Sequence, residues 1–171
     1  EIDAFIQWIV SLVSQNIYPG VFLAALIETV FPPIPSEVVF PLAGYSILKN
    51  EMNVFHVIGV GITGGCGATV GAFVIYIISK RLGRVGLIKY LKYAKIKENS
   101  LKKADHWFEK YGDKSVIIGR VIPGIRELVS IPAGIFNMNP IKFLIFTLIG
   151  SCVWSIALTS AGYYFGIATL N

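Results

Sequence analysis

Charge is scarce in this chain. Asp, Glu, Lys and Arg make up 15% of its 171 residues, against 54% that are hydrophobic; a soluble domain of ordinary composition carries about a quarter charged residues. The mean hydropathy of +0.67 excludes a fold whose polar residues cover its own surface, so the chain needs lipid as a solvent. Histidine and cysteine are rarer still, at two each. Cys66 and Cys152 sit inside apolar runs with no CxxC or Cys/His cluster beside them, which excludes a disulfide framework, a zinc motif and a dithiol redox motif. No metal or cofactor is expected. Both cysteines read as small residues packing at a helix interface near Gly64, Gly65 and Gly150.

What is present is apolar length. Val54–Ser79 and Phe143–Leu170 would each form a helix of about 40 Å, enough to cross a hydrocarbon core of about 30 Å. The net charge of +5 is concentrated between these runs, from Lys80 to Lys114. A basic loop of this size is expected on the cytoplasmic side. Its Leu82, Leu87, Ile88, Leu91, Ile96, Leu101, Trp107 and Phe108 suit amphipathic helices lying on a membrane surface. No separate basic domain exists to bind nucleic acid, so that partner is excluded. The chain opens at Glu1 without a methionine and without an identifiable signal peptide, which decides nothing about the true N-terminus.

Two further apolar stretches are too short to cross. Ile17–Phe31 stops at Pro32-Pro33-Ile34-Pro35, and Glu37–Leu48 follows; Ser115–Phe136 is broken at Pro123-Gly124. Each reads as a re-entrant hairpin, tolerated at membrane depth only where protein or water satisfies the freed backbone groups. The two breaks match without gaps, Pro33 with Pro123, Glu37 with Glu127 and Ala43-Gly44 with Ala133-Gly134; beyond them Met52-Asn53 pairs with Met138-Asn139, Gly64 with Gly150 and Cys66 with Cys152. The expected fold is therefore an all-α membrane protein of one domain built as an inverted repeat. Each half is a hairpin followed by one transmembrane helix, with repeat 1 over 17–79, a basic amphipathic connector over 80–114 and repeat 2 over 115–170. Opposed hairpins would bring their tips together near midplane, where transporters build substrate sites.

The ionisable residues left at membrane depth, Glu28, Glu37, Arg120, Arg126 and Glu127, all lie on or beside the two breaks. Charges at depth are costly and are retained for pairing or for function. A purely structural role would pair Glu28 with Arg120 or Arg126 and leave Glu37 and Glu127 to complement the positive ends of their helices, with Ser36 as an N-cap. A functional role suits the arginines better, because a guanidinium fork grips a phosphate through two hydrogen bonds and helix N-termini add backbone donors. The glutamates could exchange protons beside them, which makes proton coupling a candidate. Trp8, Trp107, Tyr18, Tyr163 and Tyr164 read as interfacial anchors and Trp154 as packing.

The chain resembles the DedA family, also called SNARE-associated or VTT-domain proteins. The resemblance rests on Glu28-x-x-Phe31-Pro-Pro-Ile-Pro-Ser-Glu37, Gly119-Arg120-Val-Ile-Pro123-Gly124-Ile-Arg126, Ser130-Ile-Pro-Ala-Gly134, Gly150-x-x-x-Trp154 and Gly162-Tyr-x-x-Gly166, and it covers nearly the whole chain. It implies a multi-pass bacterial inner-membrane protein with two inverted hairpins that moves a phosphate-bearing lipid, undecaprenyl phosphate or a phospholipid such as phosphatidylethanolamine. It assigns the functional acids and arginines to Glu28, Glu37, Arg120 and Arg126, and suggests dependence on the proton-motive force. The expectation is thus a lipid transporter and not an enzyme. A lipid phosphatase would need a histidine constellation that His56 and His106 do not form. An ion-coupled antiporter of small solutes and a homo-oligomeric assembly remain as alternatives.

Overall fold

A computed structural model describes residues 8, 11–13, 15–30, 36–93, 98–126 and 128–170. Its elements are α1 (Ile17–Val30), α2 (Ser36–Lys49), α3 (Phe55–Tyr93), α4 (Glu98–Tyr111), α5 (Lys114–Arg120), α6 (Ser130–Ile135) and α7 (Pro140–Leu170), and no strand occurs among the described residues. Two helices, over Phe55–Gly83 and Pro140–Ala168, are long and apolar enough to cross a membrane, with mean hydropathies of 1.7 and 2.0. The first ends four residues beyond its apolar run, at Gly83, whose φ of 60° and ψ of −167° kink the axis, and the second starts three residues before its run, at Pro140. Outward from both spans point exposed Phe55, Ile58, Ile62, Val70 and Val74 on α3, and Ile141, Ile145, Ile149 and Val153 on α7. Apolar side chains in such continuous rows suit acyl chains rather than water.

α1 and α2 are 14 residues each, about 21 Å, so neither reaches across a bilayer by itself. On α1 the residues Ile17, Gly20, Val21, Ala24, Ala25 and Glu28 share the buried face, as spacings of three and four require. They pack with Val39, Phe40, Ala43 and Ile47 of α2 and with Val57 and Val60 of α3. The counterpart core draws Ala72 and Tyr76 from α3, Val116 from α5, Ala133 from α6 and Phe143 from α7. α1 lies along α3 while α2 lies along α7; α5 lies along α7 while α6 lies along α3. Each short pair thereby bridges both spans.

The α2–α7 contact is close enough to dictate glycine. A Cβ on Gly44 would stand 2.0 Å from the Thr159 carbonyl oxygen, and one on Gly162 would stand 2.0 Å from that of Pro41. Small residues at such crossings let backbones approach where no hydrophobic effect drives helix association.

The paired Met-Asn signals become the same turn twice. At the end of α2 the Met52 N–H donates to the Ile47 carbonyl and the Glu51 N–H to that of Leu48; at the end of α6 the Met138 N–H donates to Ala133 and the Asn137 N–H to Gly134. These are Schellman closures, with Glu51 at φ 53° and Asn137 at φ 54° in the left-handed position. Asn53 and Asn139 then accept from backbone amides at the starts of α3 and α7 through their side-chain oxygens.

The connector differs from expectation. Its first part, up to Tyr93, prolongs α3 beyond the kink. In α4, Leu101, Ala104 and Phe108 are buried against Ile75, Leu128, Ile131, Val129 and Phe143. The amphipathic stripe there covers the base of the second short pair instead of facing lipid, because that pair would otherwise leave an apolar flank uncovered.

Candidate functional site

The second break is broader than one Pro-Gly step. α5 ends at Arg120, and irregular turns carry the chain to Ser130, with Gly124 at φ 79° supplying the left-handed step. The turns satisfy much of their own backbone: the Ile122 N–H donates to Gly119, the Arg126 N–H to Ile122, and the Val129 N–H to Ile125. A broken segment closed in this way can sit away from water.

This segment carries both arginines inward. Arg120 is 4% exposed, Arg126 8% and Glu28 4%. An Arg126 Nη donates to Glu28 Oε1 at 2.6 Å, which joins the second broken segment to α1 across 98 positions of sequence. The same nitrogen stands 3.8 Å from Glu37 Oε1 in the first turn of α2, a carboxylate that remains half exposed. Arg120 donates to the Ser130 hydroxyl at 2.7 Å, and its stem rests on Gly150, where a Cβ would come within 2.6 Å of the Arg120 Cβ. The Arg126 guanidinium lies over the Trp154 ring, 5.2 Å from its centre.

These groups enclose a cavity of about 20 Å³, room for a water molecule but not for a phosphate. Its walls are Glu28 and Thr29 of α1, Phe40 of α2, Ala68 of α3, Arg120, Arg126, and Ser151, Trp154 and Ser155 of α7. Two guanidinium charges therefore face one fully buried carboxylate, with a second carboxylate at the rim. Buried charges of this kind are kept only where partners or a function hold them.

Of the residues picked out from sequence, Glu28, Arg120 and Arg126 converge here and Glu37 stands at the edge. Glu127 and the proline run 32–35 lie outside the described residues. Sequence reasoning passed over Ser130 as a partner for Arg120 and took Trp154 for packing. The available signal was Ser151, Trp154 and Ser155, three polar-edged side chains at helical spacing in an otherwise apolar span.

His56 is tied to Tyr18, whose hydroxyl lies 2.7 Å from its Nδ1, and His106 is exposed; neither lines the cavity. Cys152 packs on Gly65, whose Cβ position is 2.5 Å from its sulfur, as small interface residues do. Among the described residues no cluster of His, Cys, Asp and Glu could hold a metal.

The VTT domain family profile matches residues 34–164. Undecaprenyl phosphate transporter A of Staphylococcus aureus is 32% identical over 160 residues, which cover 91% of this chain and 77% of the relative. An alkaline phosphatase-like protein of Lactococcus lactis subsp. cremoris is 35% identical over 163 residues, covering 92% and 75%. Protein DedA of Escherichia coli is 28% identical over 171 residues, covering 97% and 76%. No solved structure matches.

Proposed function

We propose, from the premise that this chain belongs to the VTT-domain, or DedA, family, that it carries a phosphate-bearing lipid across the bacterial plasma membrane, with undecaprenyl phosphate as its substrate. The observation that carries this reading is the pair of buried arginines at one small cavity between the two halves, with Glu28 engaging Arg126. In the absence of lipid a carboxylate occupies a face of the guanidinium that a phosphate would take. Transport then requires Arg126 to exchange Glu28 for the headgroup and the cavity to widen. Both ions are charge-assisted partners of similar geometry, so Arg126 keeps an anionic partner throughout, while the displaced Glu28 takes up a proton and so does not stand as a bare carboxylate in the cavity.

The names of relatives from Staphylococcus aureus and Bacillus subtilis, both undecaprenyl phosphate transporter A, support this substrate. The alkaline phosphatase-like name of a Lactococcus relative points toward hydrolysis. We favour a transporter, because among the described residues the cavity wall contains neither a histidine nor a cysteine to serve as base or nucleophile. Phosphatidylethanolamine is the second reading, favoured by half-exposed Glu37 at the rim, which could meet an ammonium group.

The architecture proposed with this function is an inverted repeat of re-entrant hairpins. It is supported by the twice-used Schellman turn and by the reciprocal packing of α1 and α5 on the spans of their own halves and of α2 and α6 on the opposite ones. The basic 80–114 segment lies in the cytoplasm on this reading. Glu28 is the group through which protons would couple, since its protonation would free Arg126. Glu127 and homo-oligomer formation belong to the proposal as further members of the site and the assembly.

Reconstitution into proteoliposomes with undecaprenyl phosphate or phosphatidylethanolamine tests it. Movement of undecaprenyl phosphate that Arg120→Ala and Arg126→Ala each abolish supports the reading. Movement of phosphatidylethanolamine alone replaces the substrate, and movement of neither by folded native protein refutes lipid transport.

A further inference from the structure

The arginines account for the charge of the cavity but not for its third wall, which is formed by α7. Ser151, Trp154 and Ser155 occupy one face of that helix, three and four positions apart, and all line the same space as Arg120 and Arg126. Ser151 and Ser155 are 5% and 1% exposed. The buried hydroxyls of Thr29, Thr69, Ser79 and Thr159 are spent locally, donating to the carbonyl four residues back in their own helices, whereas those of Ser115 and Thr147 make no hydrogen bond. The Trp154 indole, unlike those two, lines the cavity. Its Nε1 is buried and makes no hydrogen bond, and a donor withheld from water in this way carries an uncompensated desolvation cost. If Trp154 were there only to fill volume, a leucine or phenylalanine would fill it without that cost.

The same ring lies under the Arg126 guanidinium at 5.2 Å from its centre, within the range of a cation–π contact. Arg126 is thus held from two sides, by Glu28 through a charged hydrogen bond and by Trp154 through its ring face. The ring contact survives when an anion replaces Glu28, as does the half-exposed Glu37 at 3.8 Å.

We infer that Trp154 is a substrate-contacting residue with two tasks: its ring keeps Arg126 in place while Glu28 is exchanged for the headgroup, and its N–H, with the hydroxyls of Ser151 and Ser155, donates to oxygens of the lipid phosphate. This deepens the lipid-phosphate reading and rests on it. The ligand class it implies is a phosphate with several terminal oxygens open to neutral donors as well as to guanidinium, as a monoester head offers.

Two substitutions separate the tasks in the full chain reconstituted with undecaprenyl phosphate. Trp154→Phe keeps a ring under Arg126 and removes the N–H; Trp154→Leu removes both. The loss of one hydrogen bond to a charged group predicts a half-saturating lipid concentration about tenfold higher for the Phe variant, with a maximal rate close to native. The Leu variant should lose maximal rate as well. A Phe variant indistinguishable from an active native chain overturns the inference and leaves the transport reading standing, whereas an inactive native chain removes both.

Binding is read independently of those variants. In a Trp8→Phe/Trp107→Phe background Trp154 is the sole indole, and its fluorescence should shift on titration with undecaprenyl phosphate but not with undecaprenol, the same lipid without the phosphate. Equal responses to the two lipids, or none to either, overturn the inference even if Trp154→Phe fails to fold.

Discussion

Removing one partner of the Glu28–Arg126 pair should cost more than removing both, and the two single losses should be unequal. Both side chains are nearly fully buried, at 5% and 10% exposure, and meet at 2.6 Å. Breaking such a pair leaves a charge without its counter-ion in a low-dielectric setting, which costs about 3–5 kcal/mol. Arg126 has reserves: Glu37 at 3.8 Å, half exposed and so worth under about 1 kcal/mol, and the Trp154 ring at 5.2 Å, worth about 1–2 kcal/mol when desolvated. Glu28→Ala should therefore fall at the low end, near 3 kcal/mol, and Arg126→Ala toward the upper end. For a chain of this size about 3 kcal/mol corresponds to a fall in Tm of roughly 6–12 °C. Glu28→Ala/Arg126→Ala should recover much of the loss, with a coupling energy above about 2 kcal/mol. Thermal unfolding of the purified proteins in one detergent, followed by near-ultraviolet circular dichroism, measures all four corners of the cycle. If the single losses add in the double variant, the buried ion pair is not what joins α1 to the second broken segment, and the exchange mechanism loses its starting state.

Gly150→Ala places a Cβ 2.6 Å from that of Arg120; overpacking of this kind costs about 1–3 kcal/mol, and transport should fall by more than stability does because Arg120 is displaced, as parallel melting and flux measurements would show. Gly44→Ala, with its Cβ 2.0 Å from the Thr159 oxygen, should give protein that fails to elute as a single species in size-exclusion chromatography. Glu51→Gly should raise Tm, since a glutamate at φ 53° gives up about 1 kcal/mol of left-handed strain. The matching Asn137→Gly should do less, because Asn tolerates that conformation better. Single cysteines introduced over 98–103, in a chain with Cys66 and Cys152 replaced by serine, should react with an impermeant maleimide only from the cytoplasmic side; labelling from the outside alone would reverse the proposed topology.

Much of this was legible because the bilayer imposes simple length rules. Long apolar runs declared the two spans to within a few residues, and Pro123-Gly124 declared the break between α5 and α6. Rarity made the site legible as well: in a chain with so little charge, Glu28, Arg120 and Arg126 are conspicuous, and three cavity-lining residues came from that argument alone. Which arginine takes Glu28 was open, since Arg120 and Arg126 are six positions apart and only the path of the turns between them decides which one reaches α1. The role of α4 was misread because periodicity reports that a stripe is apolar and not whether lipid or protein will cover it. Trp154 was missed for a related reason. An aromatic within a span is unremarkable until a cation is seen above its ring, and that contact depends on the course of residues 121–129, which no helical period describes.

The placement of charge also explains why the short helices are needed at all. A continuous transmembrane helix satisfies its own backbone and offers a ligand only side chains. On the proposed topology a helix that stops short, as α5 does at Arg120, can turn its chain inward and deliver two long cations, six residues apart, to one point. Those cations could not lie on a lipid-facing surface without a penalty of several kcal/mol each, so the turns must be enclosed on every side. α1, α2, α3 and α7 provide that enclosure, and α1 and α2 are themselves short pieces whose faces carry Glu28 and Phe40 into the same cavity. Since α2 packs on the span of the second half and α6 on the span of the first, shifting one half against the other must change the distance between Glu28 and Arg126. The ion pair is the contact most directly exposed to any rocking of the halves. On the proposed exchange of Glu28 for a phosphate, loading would therefore also alter the energy of that motion, which is the coupling that transport of a lipid headgroup requires.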